Sequence, residues 1–427
     1  MNAGLAEHPH RFELANELHA RPFPSLAAPC HAVFLAVKRR EGAANRDRNL
    51  DRDHLVALLD RFGAQHPAAD ATHFFGNLGR HRIKWECHTE FVTYTLFGEG
   101  VAAIPFDASS FGILPADWLA EAPGDRLTSA LVRVDVSTAD EIVPARLNEW
   151  FDGDGLAVAR VLDDAAVVAS DFRIDANGHT RIAVFAEPDT GPRRVGQIVQ
   201  RLLEIETYKT IAMLGLPMAR EISARLSEID EELAKLVSSM REPDDEAEAT
   251  LDDLLAMSAR IEHLLARHSF RFGATAAYEA IVLQRIEVLR EDHFGESTTL
   301  AEFMMRRFDP AMRTVRAAEQ RLEHMAERAR QAGSLLLTRV EVGRSAENQA
   351  LLASMDRRAD LQLRLQRTVE GLSVVAISYY AVNLVANMAK PLGAELGLAE
   401  AALLAVLTPP VVGVVWLFVR RIRKGMS

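Results

Sequence analysis

The chain has 427 residues, of which 48% are hydrophobic and 26% are charged, so it is long enough for two or three folded domains. Its net charge of -11 argues against general binding to nucleic acid or anionic lipid. The two cysteines, Cys30 and Cys87, are too few for a disulfide framework and fit a reducing cytosol. The first nine residues lack the pattern of a signal peptide, so we expect an internal targeting segment.

The first part of the chain, residues 1–190, is predicted to be a cytosolic mixed α/β domain. Helices are predicted at 51–62, which is amphipathic, and at 139–151. Residues of strand type predict strands at 31–37, 82–97, 131–136, 156–162, 167–174 and 180–185. The sequence Asp-Ala-Asn-Gly at 175–178 indicates a hairpin turn between the last two strands.

Segment 82–97 is the clearest strand pattern. Apolar residues and threonine alternate there with a polar set, which consists of Arg82, Lys84, Glu86, His88 and Glu90. This alternation predicts antiparallel strands whose polar face is at first open to water.

After residue 190 the pattern is helical, with long helices predicted at 193–240, 244–292 and 298–389. Gly215-Leu216-Pro217 is expected to kink or break the first of them. We therefore divide this part into a helical hairpin, 191–297, a long stalk helix, 298–370, and a membrane hairpin, 371–424.

The tip of the helical hairpin is strongly acidic, because residues 220–262 contain thirteen acids and five bases. Clustered carboxylates repel one another, and a bound divalent cation relieves that repulsion. The candidate regulatory cation ligands are Asp244, Asp245, Glu246, Glu248, Asp252 and Asp253.

The third helical stretch, in which Pro310 is expected to produce a kink, has an apolar seam that steps by threes and fours. Its first half is Val315, Ala318, Leu322, Met325, Ala329, Ala332, Leu336 and Val340, and its second half is Leu351, Met355, Leu361, Leu365, Val369 and Leu372. A seam of this length needs partner helices. We expect a homo-oligomer, with an intrachain helical bundle as the alternative.

Two apolar runs near the C-terminus, at about 372–389 and 398–419, are long enough to cross a bilayer. Residues 390–397, with Pro391 and Gly393, predict a tight turn and therefore a helical hairpin. Arginines precede the first run and basic residues follow the second, so both termini are expected in the cytoplasm. The alternative is a hairpin buried in a soluble core.

The first apolar run has a polar stripe formed by Tyr380, Asn383 and Asn387, which share one helical face. Asparagine in hydrocarbon needs a hydrogen-bond partner or water. The stripe therefore predicts hydrogen bonds between helices in an oligomer, or the lining of a cation pore.

Two segments resemble a bacterial family of uncharacterised membrane-anchored proteins, the domain of unknown function 3422. They are Glu-Leu-His-Ala-Arg-Pro-Phe-Pro at 17–24 and Gly-Leu-Ser-Val-Val-Ala-Ile-Ser-Tyr-Tyr-Ala-Val-Asn-Leu at 371–384. In the first segment we expect Arg21 to pair with a carboxylate of the fold, and the alternative is that it binds phosphate or an acidic partner. The resemblance extends over essentially the whole chain. It implies a place in the bacterial inner membrane.

The order of the predicted parts is also similar to that of CorA-type divalent-cation channels. Such channels carry Gly-Met-Asn at the outer end of the first membrane helix, usually after tyrosine. Here the matching residues are Tyr380-Ala381-Val382-Asn383, so only the tyrosine and the asparagine are kept. The resemblance implies Mg²⁺ or another divalent cation as a ligand.

Catalytic motifs are absent from the sequence: we find no phosphate-binding loop, nucleophile elbow or diagnostic carboxylate pair, and no cofactor is evident beyond that cation. We therefore expect a membrane-anchored protein that is not an enzyme, with its α/β domain on an oligomeric stalk. A divergent CorA-like channel is the alternative function.

Overall fold

A computed structural model of the chain describes residues 7–17, 23–137, 140–152, 155–239, 247–395 and 399–425. Two compact units are present. The first comprises Met1–Glu242 and Asp252–Ala332, and the second comprises Pro243–Leu251 and Gly333–Ser427. The four-part division at 190, 297 and 370 stays a prediction.

The described strands form one mixed sheet in the first unit. They are β1 Cys30–Lys38, β2 His73–Leu78, β3 His81–Cys87, β4 Phe91–Glu99, β5 Asp125–Val136, β6 Ala157–Val161, β7 Ala166–Ser170, β8 Thr180–Ala186 and β9 Asp292–His293. Their order is β2-β3-β4-β1-β5-β8-β7-β6-β9. The neighbours pair antiparallel except β5 and β8, which are parallel. The predicted strands and the 175–178 turn are thus confirmed, although β5 begins six residues before its predicted start and β7 ends four residues before its predicted end. Strands β2 and β9 were not predicted.

One face of the sheet packs against two helices through apolar residues. The helices before the long helical part are α1 Arg11–Glu17, α2 Arg48–Arg61, α3 Ala116–Ala120 and α4 Ile142–Trp150. Leu55, Leu58 and Leu59 of α2 pack on β1, β3 and β4, and α4 packs on β7 and β8. Each leucine that is fully buried in this way contributes roughly 1.5–3 kcal/mol.

The opposite face of the sheet is covered by α5 Pro192–Met213 and α7 Ala247–Leu289. The prediction that the polar face of segment 82–97 is open to water is therefore wrong. Lys84 and Glu90 are 5% and 1% exposed. The sequence pattern did not reveal this because the covering helices lie more than a hundred residues further along the chain.

The remaining helices are α6 Gly215–Ser239, α8 Leu300–Arg307, α9 Asp309–Glu395 and α10 Glu400–Gly425. The predicted break near Gly215 is confirmed, because α5 ends at Met213. The kink expected at Pro310 is instead a break at Phe308, and Pro310 lies in the first turn of α9, where its missing N–H costs little.

The two halves of the apolar seam differ in burial. All eight residues of the first half are buried within the chain, whereas all six residues of the second half are more than half exposed. In the first unit, ion pairs attach α9 to the helices before it, with Arg316 on Glu279 at 2.5 Å and Arg328 on Asp230 at 2.6 Å. The intrachain bundle is therefore present for the part of the seam that lies in the first unit, Val315 to Ala332.

Helix α9 continues through the first apolar run and ends at Glu395. The prediction that a tight turn begins at Lys390 is therefore wrong, because Lys390 is still helical. Pro391 lies inside the last turns of the helix, where it leaves the carbonyl of Asn387 without its usual partner. The connection lies between Glu395 and Ala399, of which 396–398 fall outside the described residues. Both apolar helices are long enough to cross a membrane, and none of the second is buried.

The start of α8 is held by a buried carboxyl. Glu291 Oε2 accepts a hydrogen bond from the N–H of Ala301 at 3.0 Å, whereas Glu291 Oε1 is buried and has no hydrogen-bond partner in the described part of the chain. Burial raises the pKa of Glu291 to about 7, from an ordinary value of 4.5. The folded state therefore holds this proton more tightly than the unfolded state.

This carboxyl stabilises the fold below pH 4.5, and its contribution is lost as the pH rises through about 7. We expect Glu291→Gln, which keeps an oxygen for Ala301, to raise the melting temperature at pH 8 and to change it little at pH 4.5. Thermal unfolding of the full chain in detergent measures both. Glu296→Gln, at an exposed neighbouring residue, is the matched control for the substitution itself. A pH-independent effect of Glu291→Gln would contradict the prediction.

Candidate functional site

A cleft of about 240 Å³ lies between the second face of the sheet and helices α5 and α7. It is built entirely from residues of the first unit. The sheet side is hollow because Thr93 and Thr95, which are short, lie between Phe91 and Phe97 on the same face of β4. Phe34 lies beside Thr95 on the neighbouring strand β1.

The helix side of the cleft comes mainly from α5. Its lining residues recur at spacings of three and four and so share one helical face. They are Gln200, Leu203, Glu204, Thr207 and Tyr208, to which Arg201 is added on the flank and Arg285 from α7. Aromatic walls with a few polar groups on a helix and a sheet are typical of a small-molecule site.

Four charged side chains of the cleft are paired with one another. Lys84 Nζ donates to Gln200 Oε1 at 2.8 Å and lies 3.2 Å from Glu86 Oε2. Glu204 accepts from Gln200 at 2.8 Å and from the guanidinium of Arg285. These two cations and two carboxylates therefore balance one another's charge.

Arg201 also lines the cleft but does not belong to these ion pairs. It is 9% exposed, and it donates from Nη1 to the carbonyl oxygen of Val288 at 3.0 Å. Its guanidinium carbon lies 5.7 Å from the centre of the Phe23 ring. Within the described ranges it forms no ion pair with a carboxylate. Burial, together with the nearby charge of Arg285, lowers the pKa of Arg201.

A buried ionic cluster next to the cleft fixes α7 to the sheet. The carboxylate of Glu90, in the β3–β4 turn, contacts Arg271 of α7 and lies 3.5 Å from Lys38 Nζ. Tyr278 of α7, whose hydroxyl is near the charge of Glu90, stacks on Tyr208 with ring centres 5.6 Å apart. Burial raises the pKa of Tyr278 and lowers that of Lys38.

The chain segment at Phe23 closes one side of the cleft. Gly196 of α5 permits it, since a Cβ there would lie only 1.6 Å from the backbone oxygen of Pro24. Arg82 also donates to the carbonyl of Ser25, and the N–H of Leu26 donates to Pro192. Arg21 and the rest of segment 18–22 lie outside the described residues.

Adding a methyl group at residue 196 is expected to displace this segment. We predict that Gly196→Ala destabilises the full chain by roughly 1–3 kcal/mol, the usual cost of overpacking. Gly273→Ala is the matched control, because the Cβ at this helical position meets open space. It should stabilise by about 0.5–1 kcal/mol. Thermal unfolding of the two variants compares them, and equal changes in melting temperature would contradict the prediction.

Three of the six acids predicted as cation ligands lie within the described residues. Asp244, Asp245 and Glu246 lie outside the described residues. Glu248 accepts from Arg344 at 2.6 Å, and Asp252 and Asp253 are exposed. Over the described ranges, no group of three or more histidine, cysteine or acidic side chains is placed to hold a metal ion. The cation site stays a prediction.

The predicted polar stripe lies on the exposed side of its helix. Tyr380, Asn383 and Asn387 are exposed in the single chain, whereas Ser378 and Ala386 are buried. These residues lie in the second unit. Their two predicted roles, joining helices and lining a pore, both require further helices.

The cleft residues were not predicted as a site from the sequence. The signal available was polar residues on a buried helix face, with Gln200, Glu204 and Thr207 spaced by four and three in an otherwise apolar pattern. No spacing rule connects these positions to Lys84 or Arg285. Their convergence depends on how α5 and α7 pack on the sheet.

The fold and the cleft define an α+β protein with a cleft of about 240 Å³ and two C-terminal apolar helices that are consistent with membrane spans. The chain belongs to the family described as protein of unknown function (DUF3422), whose model matches residues 6–426. No curated protein matches the chain.

Proposed function

We propose that the protein is a membrane-anchored sensor of the bacterial inner membrane, in which the α/β domain binds a small ligand in the cleft between β1, β3, β4 and α5. The observation that carries the proposal is the cleft itself. It combines aromatic walls with paired and unpaired charges on rigid elements. Binding rather than catalysis is proposed, in keeping with the expectation that the chain is not an enzyme.

The anchor in this proposal is the pair of apolar helices, with spans near 372–389 and 398–419. The exposed side chains Leu372, Leu384 and Val406 support it, because such a surface is costly in water and favourable in lipid. The basic residues that precede the first run and follow the second support cytoplasmic termini in this proposal.

The oligomer in this proposal forms through the second half of the seam. Leu361 and Leu365 are 64% and 66% exposed on helix α9, so a parallel copy of the same helix can cover them. The stripe of Tyr380, Asn383 and Asn387 then supplies hydrogen bonds between the copies. Ion conduction gains no support from the described residues, and we do not propose it.

A chain that ends at Gln366 is expected to leave the membrane and to remain an oligomer, since it loses both apolar runs and keeps the exposed seam around Leu361. Sedimentation from lysed cells and native mass spectrometry measure the two properties. Leu361→Glu with Leu365→Glu in this shortened chain should give monomers.

Sedimentation of the shortened chain with membranes would reveal another anchor. A monomeric mass for the shortened chain and for the full chain in detergent, across the micromolar range, would exclude the oligomer. A reporter that is active only in the periplasm, fused after Ser427, should stay silent if both termini are cytoplasmic.

A ligand of the cleft is expected to raise the melting temperature of the full chain in lipid nanodiscs, because binding to the folded state stabilises it by mass action. Differential scanning fluorimetry against a panel of small metabolites measures this rise. Thr95→Phe, which places a ring in the hollow, should abolish it, and Thr93→Leu should reduce it.

The matched control is Thr314→Phe, at an exposed position of α9, which should keep the full rise. The ligand-free melting temperatures show whether each variant folds. A panel without any active compound, or a rise that persists in both Thr95→Phe and Thr93→Leu, would contradict ligand binding in the cleft.

A further inference from the structure

The uncompensated charge of Arg201 identifies the chemistry of the ligand. The cleft has three strong cations, Lys84, Arg201 and Arg285, and two carboxylates, Glu86 and Glu204. The carboxylates are engaged with Lys84 and Arg285. Arg201 is left with a backbone carbonyl as its hydrogen-bond acceptor, and within the described residues it forms no ion pair, although the charge of Glu204 attracts it from a distance.

The guanidinium of Arg201 shares Glu204 with Arg285, which holds the ion pair to that carboxylate. A buried charge without a partner of its own is unfavourable, because a charge removed from water must be paired to recover its solvation energy. A guanidinium has five N–H donors, and the contact with Val288 engages one of its nitrogens. An anion in the cleft supplies both the missing charge and further acceptors. Guanidinium is also the side chain best matched to a carboxylate.

The rest of the lining determines what the anion is attached to. Phe34 and Phe97 of the sheet lie across from α5, and Phe23 lies under the guanidinium of Arg201. Rings of this kind bury flat or branched apolar groups. At about 240 Å³ the cleft is below the usual size of a drug site, so the apolar group is small.

We infer that the ligand of the cleft is a small amphipathic carboxylate, whose charge is met by Arg201 and whose apolar body lies among the phenylalanine rings. This inference rests on the proposed function, since it names the ligand class of the same site. A zwitterion fits less well, because its ammonium group needs a carboxylate and both carboxylates of the cleft already have cationic partners.

The probes that test the inference are 3-phenylpropanoate and its neutral isostere 3-phenylpropanamide, titrated into the full chain in nanodiscs by calorimetry. The carboxylate is expected to bind at least about tenfold more tightly than the amide, which is the effect of one hydrogen-bonded charge. L-phenylalanine, which adds an ammonium group, should bind more weakly than 3-phenylpropanoate.

Arg201→Met keeps the apolar stem and removes the charge. It should weaken 3-phenylpropanoate at least about tenfold and leave the amide unchanged, so the retained binding of the amide shows that the cleft is folded. The same change at the exposed Arg193, on the same helix, is the control and should affect neither probe. If Arg201→Met prevents amide binding as well, Arg201→Gln takes its place with the same expectation.

Equal affinity of the carboxylate and the amide, tighter binding of phenylalanine, or unchanged carboxylate binding in both Arg201 variants would overturn the inference. So would the absence of any 3-phenylpropanoate binding. If the metabolite panel then still gives a ligand that Thr95→Phe excludes, the proposed function stands and only the ligand class fails. If no compound of the metabolite panel binds either, the proposed function and the ligand class both fail.

Discussion

The structure of the first unit depends on one buried carboxylate. Glu90 is 1% exposed in the turn between β3 and β4, and its charge is shared by Lys38 at the end of β1 and Arg271 in the middle of α7. Loss of one partner from such a cluster typically costs about 3–5 kcal/mol, because a charge is then left buried and unpaired. The requirement to keep these charges together attaches α7 to the sheet. The position of α7 in turn brings Arg285 into the cleft and Glu279 to Arg316 of α9.

The cleft follows from the same constraint. A sheet face that carries Lys84, Glu86 and Thr93 has to be covered by polar groups, and α5 supplies them on one helical face. Short threonine side chains leave space between the two layers, whereas the phenylalanine rings around them keep the layers apart. The polar interior is therefore a consequence of covering a polar strand face with helices. Among the described residues that line it, Arg201 is the strong cation without an ion-pair partner of its own.

The apolar seam of α9 shows how the same local pattern leads to two different environments. From Val315 to Val340 the seam is buried in the chain, and from Leu351 onward it is exposed. Both halves have helical spacing and similar residue types, so periodicity determines a helix with an apolar face in each case. What covers that face depends on whether another helix of the chain reaches it. Only the second half is left for a partner, and the stalk and the anchor of the proposed function meet there.

The sequence by itself determined the longer helices, most strands, the 175–178 turn and the two apolar runs, because each follows from periodicity or turn chemistry. The short helices α1 and α3 were not predicted. Only the tertiary structure decided the burial of Lys84 and Glu90, the extension of α9 to Glu395, and the cleft. The residues that line the cleft are spread along the chain from Phe23 to Arg285, and no local pattern relates positions so far apart. The physical reason is that a charged side chain is polar in sequence whether it faces water or a partner. The environment of that side chain is determined by segments from elsewhere in the chain that pack against it.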